Sequence, residues 1–179
     1  MKKFLLLVAL FLINQLHPYE NKIDLLSLYK DLHANPELSY QEFETSEKLA
    51  NLLESIGYEV TRNVGGNGVV ALLKNGNGKN IMFRADMDGL PVEEKTGARY
   101  ASQKKVTNLD GEEVFTMHAC GHDVHMTVLI GVAEYLFENK SEWQGNLILV
   151  LEPAEEVSGG ARNMILSLIH ISEPTRQSL

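Results

Sequence analysis

Residues 117–125 read Met-His-Ala-Cys-Gly-His-Asp-Val-His and gather His118, His122 and His125, the only cysteine of the chain, a carboxylate and a glycine that allows a tight turn. Imidazole nitrogen and thiolate sulfur are the ligands that zinc and related divalent metals favour. Cys120 and His122 stand two residues apart, so on an extended or turning backbone both side chains can reach one ion. A buried cysteine beside histidines that cap or pack would leave the same local pattern. The rest of the chain has to decide between them.

Two further polar clusters stand where such chemistry would need them. Asp86 and Asp88 follow the apolar run Ile81-Met82-Phe83, and Glu155 and Glu156 follow the apolar run Leu147 to Leu151. Ligands collect at the carboxyl ends of strands in open α/β sheets, so the three clusters can converge on one crevice. Adjacent glutamates at a strand end point to different sides. One can then bind a metal while the other stays free as a proton carrier.

The elements that must position these clusters follow from periodicity. Ile23, Leu25, Leu26, Leu28, Tyr29 and Leu32 recur at helical spacing, and Asn35-Pro36 breaks that helix. Ser39 followed by Glu42 reads as a capping box opening a second helix that runs to Ile56, with Gly57 as its left-handed cap. Tyr58 to Asn63 and Val69 to Leu73 read as strands around a glycine-rich turn. Asn75-Gly76-Asn77-Gly78 reads as a hairpin turn, and Ile81-Met82-Phe83 as the start of a buried strand. A second turn is expected at Asp110-Gly111. Val124 to Glu138 is a helix with Val128, Leu129, Val132, Leu136 and Phe137 on one side. Asn146 to Leu151 is a strand expected to be buried on both faces. The fold class is therefore α/β, an open mixed sheet flanked by helices.

Composition narrows the function. The 179 residues give one domain with a real core, and 44% hydrophobic with 22% charged residues is an ordinary globular balance. A formal net charge of −8 argues against nucleic acid or an anionic membrane as partner. A single cysteine excludes an internal disulfide and leaves the thiol free for a metal. Gly66-Asn67-Gly68-Val69-Val70-Ala71 fits a loose dinucleotide pattern, but β-branched residues continue it as strand where a helix is required. There is no P-loop and no G-x-S-x-G elbow. Lys2-Lys3 before the apolar run Phe4 to Ile13 reads as a secretory signal over residues 1–18, too short to span a bilayer. Export to the periplasm, the ER lumen or the medium is expected if that signal works, and a cytoplasmic location otherwise.

Arg84 to Glu94 (Arg-Ala-Asp-Met-Asp-Gly-Leu-Pro-Val-Glu-Glu), Met117 to Asp123, Pro153-Ala154-Glu155-Glu156 and the earlier His33 to Ser39 occur in that order. Together they resemble the amidohydrolase branch of the aminoacylase/carboxypeptidase metallopeptidases, over about residues 22–165. That branch includes hippurate hydrolases, N-acyl-amino-acid amidohydrolases and the plant hydrolases of indole-acetyl-amino acids. The resemblance implies a two-metal hydrolase of small-molecule N-acyl amino acids, with an α/β catalytic domain and an inserted smaller domain that helps to bind substrate and to form a homodimer. It implies that Cys120, His122 and Glu156 are metal ligands and Glu155 the general base. Asp88 and Asp86 would orient ligands from behind, while His118 and His125 would be structural. Zinc suits the cysteine, and nickel, cobalt or manganese also occupy such mixed sites. A metal in such a site lowers the pKa of a bound water from about 15.7 toward 7. Glu155 would take that proton and hand it to the departing amine.

The departures are informative. The resemblance implies further histidine ligands beyond the second glutamate, and the only later histidine is His170, in unrelated surroundings. The inserted domain and the rest of the catalytic sheet have no counterpart, so the expectation is an amino-terminal part of the catalytic domain over residues 19–165, inactive alone and aggregation-prone at its open sheet edge. Leu166 to Arg176 resembles, residue for residue, the in-frame translation of a common transposon-adapter sequence used in DNA library preparation, so residues 166–179 are expected to be non-native. The other function class compatible with the residues is a metal-binding or interaction module that never turns over.

Overall fold

The computed structural model describes residues 22–171. The expected secretory signal lies outside the described residues, as does the end of the adapter-like tail from Ser172 onward. Helices α1 (Leu25–Ala34) and α2 (Phe43–Ile56) lead into strands β1 (Glu59–Val64), β2 (Gly68–Asn75) and β3 (Asn80–Asp86). A small hairpin, β4 (Lys105–Thr107) and β5 (Glu113–Phe115), precedes helix α3 (His122–Glu138), strand β6 (Gly145–Glu152) and helix α4 (Gly160–Ile171). The main sheet has the order β1-β2-β6-β3, with β2 antiparallel and β3 parallel to β6. This is a mixed sheet flanked by helices, as the periodicity implied.

Burial explains the order. Leu147, Leu149 and Leu151 of β6 are almost wholly buried and meet Leu49, Leu53 and Ile56 of α2 and Met126, Leu129 and Ile130 of α3 in one core. Each such side chain contributes about 1.5–3 kcal/mol by leaving water, so the central place goes to the strand with most apolar surface to hide. The alternate residues Ile148 and Val150 are only half-buried, so β6 is fully covered on one face rather than on both. Asp24 caps α1 through Leu26 N and Ser27 N, both at 3.1 Å. Gly57 ends α2 with φ of 116°, as its residue type implied.

Four local expectations are corrected. Ser39 and Glu42 do not form a capping box: the Glu37 carboxylate accepts from Glu44 N (3.3 Å) and Thr45 N (2.8 Å), which frees Ser39 and Glu42 for distant partners. The turn at Asn75 to Gly78 does not close a hairpin, because β6 inserts between β2 and β3 and pairs with both. Strand β3 is the last strand of the sheet among the described residues, and Ile81, Met82 and Phe83 are exposed. Helix α3 begins two residues earlier than expected, and its buried stripe runs through Met126, Leu129, Ile130 and Ala133 while Val128 faces outward.

Candidate metal centre

The parallel pairing of β3 with β6 sets Asp86 beside Glu152, so the two acidic strand ends leave the sheet together. Met87 N donates to Glu152 O at 2.9 Å and holds the two chains side by side one residue further on. Asp88 then turns inward to 1% exposure. Its Oδ1 accepts from Glu155 N (3.2 Å), and its Oδ2 accepts from Glu156 N (3.1 Å) and from Ser39 Oγ (2.6 Å). One carboxylate thus fixes the backbone of both glutamates.

The loop carrying those glutamates is pinned from other directions. Glu42, fully buried, accepts from Ala154 N at 2.7 Å and from Asn67 Nδ2 at 3.0 Å. Glu152 Oε1 accepts from Ala161 N (3.0 Å) at the start of α4, while its Oε2 accepts from Arg84 (2.7 Å). Ala154 and Ser158 both adopt positive φ, at 51° and 58°. Non-glycine residues in that region cost of order 1–3 kcal/mol and persist where the surroundings over-determine them. At Gly160 a Cβ would lie 1.6 Å from Pro153 O, so only glycine lets α4 start so close to the loop.

His122 enters from the first turn of α3. Its Nδ1 donates to the Asp88 carbonyl oxygen at 2.8 Å and lies 3.4 Å from Asp88 Oδ1. That fixes the ring so that Nε2 faces Glu155 Oε2 at 3.7 Å and Glu156 Oε1 at 3.9 Å. His125 stacks on the His122 ring with centroids 5.4 Å apart, and its Nδ1 lies 3.6 Å from Asp86 Oδ2. Two groups of ligand-type atoms lie within 4.8 Å of one another among the described residues: His122, Glu155 and Glu156, and Asp86, His122 and His125.

Electrostatics asks for a cation here. Burial works against a proton on His122, but the Asp88 hydrogen bonds and the charges of Asp88 and Asp86 prevail and raise its pKa to about 9. The Cys120 thiol is pushed up by its hydrogen bond to Glu156 and by the charges of Glu155 and Asp88. The same carboxylates favour the cationic form of His122 and disfavour the anionic form of Cys120, so both groups hold their protons. Glu156 Oε1 and Asp86 Oδ1 are buried without a hydrogen-bond partner among the described residues, although Arg84 Nε stands 3.3 Å from the latter without alignment. A nitrogen donor, two carboxylates and an adjacent thiol fit a divalent transition metal.

The sequence-designated residues are placed as follows. Asp88, His122, Glu155 and Glu156 come together, and Asp86 lies beside His122 through the second group. Cys120 is exposed, next to Glu156 but outside both tight groups. His118 is buried with both ring nitrogens unpartnered among the described residues, and burial lowers its pKa to about 4, so it is neutral.

Sequence reasoning missed a buried triad behind the site. His33 Nδ1 contacts Asp123 Oδ2 at 2.6 Å and its Nε2 contacts Glu94 Oε1 at 3.1 Å. Burial opposes the His33 proton, but the bonds to Asp123 and Glu94 outweigh it and raise the pKa. Asp123 follows His122 directly, so His33 on α1 anchors the turn that carries the histidine. The available signal was that His33, Glu94 and Asp123 all fall within the motifs that carry the family resemblance.

Comparison with known proteins gives the family. Residues 82–178 match the model of peptidase family M20/M25/M40. The chain belongs to that family, on the metallo-amidohydrolase side of the aminoacylase/carboxypeptidase metallopeptidases. It is 46% identical over 135 residues to a hippurate hydrolase of Campylobacter jejuni, covering 75% of this chain and 32% of that protein. It is 37% identical over 140 residues to IAA-amino acid hydrolase ILR1-like 2 of Arabidopsis thaliana, covering 78% and 30%. The crystal structure of Bacillus subtilis YXEP protein, a dinuclear metal binding peptidase from the M20 family, superposes with a TM-score of 0.71 at 36% identity, over 81% of this chain and 38% of that one. The chain thus spans about a third of the length of these curated relatives.

Proposed function

We propose that this chain carries part of the active site of a metal-dependent amidohydrolase that cleaves N-acyl amino acids or related small amides. The observation that carries the reading is the Asp88 carboxylate, which accepts from the amides of both Glu155 and Glu156 while the Asp88 carbonyl accepts from His122 Nδ1. Glu155, Glu156 and His122 are therefore all held by one buried residue. Such partners fix the direction and basicity of ligands, and their loss typically weakens metal binding 10–100-fold. The names of the relatives, hippurate hydrolase and IAA-amino acid hydrolase, support the substrate class.

His122, Glu156 and Cys120 would hold the cation, with His122 and Cys120 giving up their protons as it enters. When bound, a divalent cation supplies Lewis-acid polarisation of the amide carbonyl and acidifies a water. The two glutamates divide the work by exposure. The Glu156 side chain is 17% exposed with an unpartnered oxygen turned inward, as suits a ligand. The Glu155 side chain is 38% exposed and so open to a solvent water, as suits a general base. Glu155 removes a proton from the attacking water and delivers it to the nitrogen of the departing amine, a role that contributes about 10²–10⁴-fold to the rate. Asp88 and Ser39 keep the glutamate backbone still during that transfer. The test is to load the full-length gene product with zinc, cobalt or manganese and assay N-benzoylglycine. Turnover that disappears with chelator and with Glu156→Ala supports the reading; an active, metal-free enzyme overturns it.

A further inference from the structure

A crevice of about 250 Å³ opens beside Glu156, between residues 38–41, residues 89–91, the tip of the β4–β5 hairpin and Val157. Leu38, Leu90, Pro91, Leu109, Val157 and the Tyr40 ring make its walls mostly apolar. Among the described residues no lysine, arginine or histidine lines it, and the charged group at its edge is the Glu156 carboxylate. It therefore suits neither a carboxylate nor a phosphate.

Three of the wall residues are large apolar side chains left in solvent: Leu109 at 71% exposure, Val157 at 55% and Tyr40 at 38%. Single exposed apolar residues are ordinary. These come from segments far apart in the chain and converge on one concavity next to the candidate metal centre, which is where contiguous apolar surface marks a binding site. The walls are also built. Tyr40 is held with φ of 66°, strain of the kind stored at ligand sites. Its hydroxyl packs so closely on Gly159 that a Cβ there would lie 1.6 Å away. Gln41 Nε2 donates to Thr107 O at 3.1 Å and ties the hairpin to this segment. On the opposite wall, Leu90 and Met117 exchange backbone hydrogen bonds at 2.9 and 3.0 Å.

We propose that this crevice is the subsite for an uncharged, apolar substituent of the substrate, with Leu109, Val157 and Tyr40 setting the preference for aromatic over small groups. A cavity of about 150 Å³ already lodges benzene, so the space accepts a phenyl ring or a somewhat larger bicyclic group. The inference rests on the amide-hydrolase reading above. The substituent can come from the acyl group or from the amino-acid side chain, and the two sources are separable.

The experiment compares kcat/KM of the metal-loaded, full-length gene product for N-benzoylglycine, N-acetylphenylalanine and N-acetylglycine, in wild type and in Leu109→Asp and Val157→Asp. A hydrophobic contact of this size discriminates by roughly 10–200-fold. The expected result is that at least one aromatic substrate is preferred over N-acetylglycine, and that this ratio falls tenfold or more in both variants. The aromatic substrate whose ratio falls identifies which end of the substrate enters the crevice. Ratios that do not move in either variant overturn the inference while leaving the amide-hydrolase reading intact. If none of the three is hydrolysed, it is the amide-hydrolase reading that fails. Methyl NMR with N-benzoylglycine then decides the crevice: shifts at Leu109 and Val157 support it, and undisturbed resonances overturn it.

Discussion

Metal uptake by this chain should be steeply pH-dependent, with a slope that counts the ligands. The perturbation is a change from pH 8 to pH 6 during titration with zinc under chelator competition. His122, with its pKa raised to about 9 by Asp88 and Asp86, is protonated throughout that range. A proton on a ligand competes with the metal, so affinity rises with pH up to the pKa of the ligand. Each pH unit below it costs a factor of ten, about 1.4 kcal/mol. His122 alone therefore weakens binding about 100-fold over the two units. The Cys120 thiol is also protonated here, its pKa pushed above its ordinary value by Glu156. If it binds as thiolate, a second factor of about 100 follows, the log-affinity slope approaches about two, and about two protons leave per ion. Calorimetry in buffers of different ionisation enthalpy counts them. Cys120→Ala should reduce the slope to about one. A flat profile would refute the placement of His122 at the metal, and a slope of about one in the unmodified chain would remove Cys120 from the ligand set.

Other expectations follow from the same contacts. Asp88→Asn keeps the carbonyl that accepts from His122 but removes the carboxylate charge beside it and one of the acceptors of the glutamate amides, so zinc affinity at pH 8 should fall 10–100-fold; unchanged affinity would deny the Asp88 side chain its orienting role. Glu42→Ala leaves Ala154 N and Asn67 Nδ2 without their buried acceptor and should cost about 1–3 kcal/mol in urea unfolding, whereas a loss within error would show that the loop holds itself. His33 has a folded-state pKa above its unfolded value, so its contribution is complete below about pH 6.5 and fades as pH rises through the raised value. His33→Gln should accordingly destabilise more at pH 6 than at pH 9, and an equal cost at both would show that the triad acts without its charge.

Local chemistry was legible in the sequence wherever it sufficed. The apolar run Asn146 to Leu151 was legible as a strand, though not that only one of its faces is fully covered, and Gly57 after an apolar-periodic segment was legible as a left-handed cap. What failed needed a partner far along the chain. Asn75 to Gly78 has hairpin turn chemistry, yet β6, some 70 residues later, takes the space between β2 and β3. Ser39 and Glu42 have capping-box spacing, but their side chains bond Asp88 and Ala154 instead, 49 and 112 residues away. Ile81 to Phe83 is as apolar as any buried strand, and its exposure reflects its position as the last strand of the sheet among the described residues. The candidate site divides in the same way. Its donor clusters were legible because the two acidic pairs each follow an apolar run and the histidine–cysteine cluster leads directly into a helix. The His33–Asp123–Glu94 triad joins residues 61 and 90 positions apart and leaves no periodic trace.

The division of labour between the two glutamates is tested most directly by Glu155→Gln in the full-length gene product, scored for both metal content and hydrolysis of N-benzoylglycine. Glutamine keeps the shape and the backbone bonds of Glu155 to Asp88 but cannot accept the proton of the attacking water. Metal content should equal that of wild type while kcat falls about 10²–10⁴-fold. Wild-type turnover in that variant, or loss of metal together with activity, would contradict the assignment of Glu155 as the base and Glu156 as the ligand.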